Sequence, residues 1–435
     1  MREMICENLS VNNNGVLMFG AHNTVDLIKK YSSPLYVMDE ERIRYNMRVY
    51  INAMKKYFGD DALPLYASKA ASFKQIYRIA NEEGMGCDVV SSGEIYTAKS
   101  AGFPMEKAYF HSNNKTDADI LFAIENGVGY FVADNKEEID SINEIAKEKG
   151  ICQKVLLRLT PGIDPHTYEA VATGKVDSKF GSAIETGAAE EITAYTLQKE
   201  NIELFGFHCH VGSQVFDSDV YLAASYIMLK FIADMKDKYN LITKILNLGG
   251  GYGVRYTDKD PVIDIEENIR IVANETKMIA KKLGIDYPSI RMEPGRSIVA
   301  DTGITLYTAG SVKIIPEYKN YVSVDGGMPD NPRFALYQSP YTVMVANKAN
   351  EVCDFECSVV GRCCESGDIL QENVMLPKSV QRGDIIAVLT TGAYNYSMAS
   401  HYNRIPKLPI VMVNGTKDYI AVKRETFEDV ARNDI

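Results

Sequence analysis

The chain has 435 residues, 46% hydrophobic and 24% charged, with a formal net charge of −11. The composition is that of a soluble globular protein, the length implies two domains, and an acidic charge without a Lys/Arg stripe argues against nucleic-acid binding. No apolar run approaches the roughly 20 residues needed to span a bilayer, and Met1–Glu7 lacks the apolar segment of a secretion signal. A cytoplasmic protein with its eight cysteines reduced is therefore expected.

From about residue 63 to 298, short β-rich runs alternate with amphipathic stretches. The runs are Leu63–Ser68, Cys87–Ser91, Ala108–Ser112, Tyr130–Asp134, Lys154–Thr160, Leu204–Val211, Lys244–Leu248 and Ser289–Glu293. Between them lie helical patterns such as Phe73–Glu83, Ser92–Ala101, Lys136–Lys149 and Glu266–Leu283. Strands alternating with helices imply a parallel sheet, and eight is the number that closes a (β/α)8 barrel. The barrel is expected over residues 36–298, with an open doubly wound sheet as the alternative. Beyond it, Ile304–Ile315, Tyr318–Asp325, Tyr341–Ala346, Glu351–Gly361 and Asp384–Thr391 read as strands with few helical intervals. They predict a second, all-β domain of sandwich or barrel-like form, built from residues 1–35 and 299–435.

Candidate chemistry gathers where these runs end, which is where a barrel keeps its active site. Lys69 closes Leu63-Pro64-Leu65-Tyr66-Ala67-Ser68-Lys69. A lysine there can keep its head in water, or, if desolvated, act as a nucleophile toward a carbonyl. Phe207-His208-Cys209-His210-Val211-Gly212-Ser213 offers two imidazoles and a hydroxyl. Those histidines suit a metal only with a third ligand; one could instead lie flat on an aromatic ring. The run Leu248-Gly249-Gly250-Gly251-Tyr252-Gly253 is either a tight turn or a phosphate-binding loop whose N–H groups approach an anion. Glu293-Pro294-Gly295-Arg296 places a carboxylate and a guanidinium three residues apart, able to pair with each other or to hold a ring nitrogen and a carboxylate. Turn-rich clusters follow at Asp325–Arg333, Cys363–Asp368 and Thr391–Tyr396. The spacing of Cys353, Cys357, Cys363 and Cys364 fits no zinc pattern, so no metal is expected.

Together these motifs resemble the fold-type III pyridoxal-phosphate decarboxylases. The matching pieces are Tyr66-Ala67-Ser68-Lys69-Ala70, His210-Val211-Gly212-Ser213-Gln214, Gly249-Gly250-Gly251, Glu293-Pro294-Gly295-Arg296, Asp330-Asn331-Pro332-Arg333, Cys364-Glu365-Ser366-Gly367-Asp368 and Gly392-Ala393-Tyr394. Arg158-Leu159-Thr160-Pro161-Gly162 and Ser178-Lys179-Phe180-Gly181 also look like family segments. The pieces keep the family's order from about residue 35 to 405, and it is the ordered set that is specific. There are two departures: Ala71 stands where many relatives have asparagine, and Ser92 interrupts a Ser-Gly-Gly-Glu pattern.

The resemblance implies a barrel plus a β domain, pyridoxal 5'-phosphate as cofactor, and a homodimer with shared active sites. Lys69 would bind the cofactor covalently and His210 would stack on its ring. Ser213, Gly250, Gly251, Gly295 and Arg296 would hold phosphate and pyridine, with Glu293 at the ring nitrogen. Tyr394 would touch cofactor and substrate. Cys364 would deliver the final proton from the partner subunit, with Lys69 and, on sequence alone, Cys363 as competitors. Arg296, Arg333 and Tyr337 would take a distal substrate carboxylate and Glu365 a distal ammonium. That pairing favours meso-diaminopimelate over ornithine, arginine or lysine, which would leave arginines unpaired. An aldolase using Lys69 without cofactor and a catalytically silent homologue are the readings of a different class.

Overall fold

The computed structural model describes residues 4–163 and 178–435. The chain divides into two compact units, Asn46–Gly253 with Ile263–Ser297, and Met1–Tyr45 with Val254–Val262 and Ile298–Ile435. In the first unit the eight predicted runs become eight strands. These are β1 (Leu63–Ala67), β2 (Gly86–Val89), β3 (Ala108–Phe110), β4 (Tyr130–Ala133), β5 (Gln153–Thr160), β6 (Ile202–His208), β7 (Ile245–Asn247) and β8 (Ser289–Met292). Each pairs in parallel with the next, and β8 returns to β1 through Arg291↔Leu63 and Met292↔Pro64. That closing pair excludes the open sheet.

Parallel strands covered by helices are buried on both faces, which is why β4 and the Val155–Leu157 centre of β5 read as continuous apolar runs rather than as alternation. Leu65, Tyr109, Val132, Leu156 and Ile245, from five different strands, form one buried cluster. Each such side chain contributes about 1.5–3 kcal/mol by leaving water. In β6 the register shifts between Leu204 and Gly206. A Cβ at Gly206 would lie 1.8 Å from the Ile245 carbonyl oxygen, so only glycine lets β6 and β7 approach there.

The helices after β2, β3 and β4 are fixed at their amino ends by side chains. Ser91 caps Ser92–Ser100, Thr116 forms a capping box on Asp117–Glu125, and Asn135 caps Lys136–Glu148. Each cap satisfies helix N–H groups that would otherwise lack partners. The loops leaving these strands are thereby held in place.

The second unit is mostly sheet. Its strands after the barrel are β9 (Gly303–Ile315), β10 (Lys319–Val324), β11 (Val343–Val345), β12 (Cys353–Val360), β13 (Ile369–Pro377), β14 (Ile385–Val388), β15 (Ile410–Asn414) and β16 (Lys417–Val422). The early strand Leu35–Asp39 lies between β9, antiparallel to it, and β15, parallel to it. β13, β15 and β16 fall in stretches that the sequence does not mark as strands. Leu9, Leu17, Phe19 and Leu27 share a buried cluster with Val37, Leu306 and Val411, which ties the amino-terminal segment into this unit's core. No helix among the described residues is long and apolar enough to cross a membrane.

Candidate active site

Every barrel strand carries a polar or ionisable side chain at, or within two residues of, its carboxyl end. In strand order these are Lys69, Asp88, His111, Asp134, Arg158, His208, Asn247 and Glu293. Six of them (Asp88, His111, Asp134, His208, Asn247 and Glu293) are buried. Ionisable groups are rarely buried without partners, and here the partners are one another.

Glu293 is at the centre. Asn247 Nδ2 donates to its Oε1 at 2.6 Å and His208 Nε2 lies 3.2 Å from its Oε2. His111 Nε2 is 2.8 Å from Oε1 and 3.9 Å from Asp88 Oδ1. Burial opposes the Glu293 charge, but His111 and His208 outweigh it and hold the carboxyl well below its ordinary range. Asp88 moves the other way: burial raises it, and His111 offsets this only in part. Burial lowers His208 to about 4, so at neutral pH its ring is uncharged and donates one N–H to Glu293. The ligand atoms of His111, His208 and Glu293 lie within 4.8 Å of one another; His208 hydrogen-bonds the carboxylate, while His111 Nε2 stands 2.8 Å from it without hydrogen-bond geometry.

Lys69 follows β1 in the short turn Ser68–Ala70. Its side chain is exposed while Ser68, Ala70 and Ala71 around it are buried. The turn is braced by Tyr66, whose hydroxyl donates to the Ala71 carbonyl at 2.9 Å. Asp88 and His210 both feel the Lys69 charge. Glu94, accepting from the Val90 amide at 2.7 Å, is pushed by burial up to about 7.

Three glycine-bearing segments converge beside this cluster. A Cβ on Gly250 would stand 2.0 Å from the Glu293 carbonyl oxygen, and one on Gly251 2.3 Å from that of Gly212. A Cβ on Gly295 would stand 2.9 Å from the Ala67 carbonyl oxygen. The close approach brings Ser213 under the Arg296 guanidinium, whose Nη2 and Nε donate to its hydroxyl at 2.8 and 3.3 Å. The Gly250 amide donates to His210 Nδ1 at 3.3 Å, which fixes the half-buried imidazole by one edge. This cradle offers a hydroxyl, a guanidinium and peptide N–H groups to an anion. The adjacent carboxylate suits a protonated ring nitrogen, and the exposed amine suits a carbonyl carbon. Those are the three handles of a phosphorylated pyridine aldehyde, so the residues present fit one.

The remaining candidates lie in the second unit. Arg333 is buried, with Nη2 3.3 Å from Ser339 Oγ and its Nε unpartnered. Its guanidinium carbon is 4.9 Å from the Tyr394 ring centroid and 5.6 Å from that of Tyr337. Tyr394 is held with φ at +71°, a strained conformation for a non-glycine residue. Cys364 is exposed, and its amide donates to Asn403 Oδ1 at 2.9 Å. Glu365 is kept ionised mainly by the Gly367 amide at 3.2 Å. Burial and Asp368 push the neighbouring Cys363 thiol up to about 12.

The sequence marks Lys69, the glycine run and the Glu293–Arg296 turn, which the fold brings to the barrel mouth, but not Asp88, His111, Asp134 or Asn247, which join them there. Its two-histidine pair also separates, His208 going to Glu293 and His210 to Gly250. A signal was present: one polar residue interrupts an apolar strand at the same level in Cys87-Asp88-Val89 and Leu246-Asn247-Leu248.

The family model for the pyridoxal-dependent decarboxylase, pyridoxal binding domain, matches residues 44–300. Diaminopimelate decarboxylase from Bacillus subtilis is 44% identical over 424 residues, covering 98% of this chain and 96% of that protein. The Staphylococcus aureus enzyme of the same name is 40% identical, covering 97% and 98%. The solved structure of diaminopimelate decarboxylase from M. jannaschii in complex with L-lysine aligns over 100% of this chain and 99% of that one, with a TM-score of 0.92 at 32% identity. With the barrel-mouth cluster, these likenesses establish that the chain belongs to the diaminopimelate decarboxylases, within the pyridoxal-dependent decarboxylase family.

Proposed function

We propose that this protein decarboxylates meso-diaminopimelate to L-lysine and carbon dioxide, using pyridoxal 5'-phosphate. The observation that carries the reading is Glu293, held ionised by Asn247, His208 and His111 at the carboxyl ends of barrel strands. Lys69 would hold the aldehyde carbon, Glu293 the ring nitrogen, His210 the ring face, and Ser213, Gly250, Gly251, Gly295 and Arg296 the phosphate. When bound, the cofactor supplies an electron sink for the bonding electrons that carbon dioxide leaves behind. Glu293, as an anion, sustains the proton on the ring nitrogen. Cys364, an exposed thiol, donates the proton that completes the product.

Arg333, with Tyr337 and Arg296, would bind the distal carboxylate, and Tyr394 would line the place where cofactor and substrate meet. A buried guanidinium with an unpartnered Nε beside two tyrosines supports this role. Glu365 of the partner subunit would take the distal ammonium, and Cys364 of the partner subunit would complete the site, making the working form a cytoplasmic homodimer. In this reading the barrel part of residues 36–298 binds the cofactor, residues 36–45 and 254–262 falling instead with the second unit, while 1–35 and 299–435 supply substrate and dimer contacts.

The test is carbon dioxide release from meso-diaminopimelate by cofactor-loaded protein, with ornithine, arginine and lysine as controls. Turnover of diaminopimelate alone supports the reading. Faster turnover of a substrate lacking the distal carboxylate refutes it.

A further inference from the structure

We propose that the buried Lys115–Glu138 ion pair positions His111 against Glu293, a role that rests on Glu293 facing the cofactor nitrogen. The Lys115 side chain has no exposed surface and that of Glu138 is 2% exposed. Lys115 Nζ donates to Glu138 Oε1 at 2.7 Å, to the Val132 carbonyl of β4 at 2.8 Å and to the Ser112 carbonyl at 3.2 Å. All three ammonium donors are thus used.

The backbone at the far end of this clamp is strained. The His111 amide donates to the Val89 carbonyl at 2.8 Å, continuing the sheet. At the next residue, Ser112, the chain turns away with φ at +138°. A non-glycine residue holds such a conformation only when its surroundings impose it. Lys115 imposes it by fixing the Ser112 carbonyl. Glu138 extends the clamp to the neighbouring strand, since its Oε2 accepts from the Asp134 amide at 3.4 Å. The Asn135 side chain, which caps the helix carrying Glu138, also donates to the Asn113 carbonyl at 3.4 Å. Two consecutive strand ends, bearing His111 and Asp134, are therefore tied to one buried charge.

Stability alone does not account for such a pair. Removing both ions from water costs about what their attraction returns, and apolar replacements of similar volume are often neutral or stabilising. What Met and Leu cannot do is bond the Ser112 carbonyl and the Asp134 amide. The two roles therefore separate in the double variant K115M/E138L.

The experiment is a cycle of wild type, H111A, K115M/E138L and the triple variant. It reads thermal midpoint, cofactor dissociation constant of the apoprotein, kcat and KM. K115M/E138L is expected to keep the wild-type midpoint but weaken cofactor binding about tenfold and lower kcat with little change in KM. H111A should show a similar loss, and the triple variant no further loss, because both changes remove the same interaction. Additive losses, or a folded K115M/E138L with wild-type cofactor affinity and kcat, would overturn the proposal. Should that variant not fold, Glu138→Gln serves in the same cycle and must show the same non-additivity with H111A. Wild-type diaminopimelate turnover, measured in parallel, separates failure of this inference from failure of the functional reading.

Discussion

His208 donates an N–H to Glu293 across 3.2 Å, joining the end of β6 to the turn after β8, 85 residues further along the chain. Asn247 holds the other carboxylate oxygen. A carboxylate gripped on both oxygens is fixed in direction as well as charge, and fixed charge costs no reorganisation when a reaction calls on it.

Glu293→Gln keeps the shape and removes the charge. We expect kcat for diaminopimelate to fall about 100- to 1000-fold. Steady-state carbon dioxide release checks this, with visible absorbance reporting cofactor occupancy. Near-wild-type turnover would remove Glu293 from the ring-nitrogen role.

Arg333→Ala removes a buried guanidinium that packs against Tyr337 and Tyr394. A lost charge-assisted hydrogen bond should lower kcat/KM for diaminopimelate about 10- to 100-fold. Cofactor affinity should persist. Unchanged turnover would contradict the assignment of the distal carboxylate to Arg333.

Cys364→Ala and Cys363→Ala separate two adjacent thiols. Cys364 is exposed, whereas burial and Asp368 push Cys363 up to about 12. Loss of a general acid should slow turnover about 100-fold in Cys364→Ala, while Cys363→Ala stays close to wild type. Product analysis alongside rates will show whether protonation is the impaired step. The reverse ranking would exchange their roles.

If Lys69 and Cys364 of the partner subunit share one site, two inactive variants should complement each other. Lys69→Ala and Cys364→Ala, unfolded together and refolded as a mixture, should recover about a quarter of wild-type activity through mixed dimers with one intact site. No recovery in a preparation shown to contain mixed dimers would place both residues in sites of a single chain.

His208 makes acid stability testable. Its folded-state pKa, about 4, lies below the ordinary 6.5 because the ring is buried. The unfolded chain therefore binds the extra proton first, and stability is full above about pH 6.5 and declines as pH falls toward 4. The decline attributable to this ring is roughly 3 kcal/mol. Thermal unfolding of wild type and His208→Gln across that window measures it. The variant should show the shallower profile, and parallel profiles would assign the acid sensitivity elsewhere.

Strand number and order were legible because each parallel barrel strand has a short apolar, β-branched or aromatic stretch punctuated by turn residues and followed by a helical pattern. The places of Lys69, Gly250, Gly251, Glu293 and Arg296 at the carboxyl ends of barrel strands were legible because each follows such a run. β13, β15 and β16 were not, since sheet pairing there depends on partners far along the chain rather than on a local period.

The sequence by itself determined the barrel class, the family and the place of Lys69, the glycine run and Glu293 at strand ends, because those follow from local pattern and motif order. Only the tertiary structure decided that His208 serves Glu293 while His210 turns to Gly250. It alone showed that Asp88, His111 and Asn247 join the cluster, and that a buried Lys115 lies behind it. The reason is physical: the energy of a buried charge depends on which partners the fold brings within about 3 Å, and none of those partners is a neighbour in sequence.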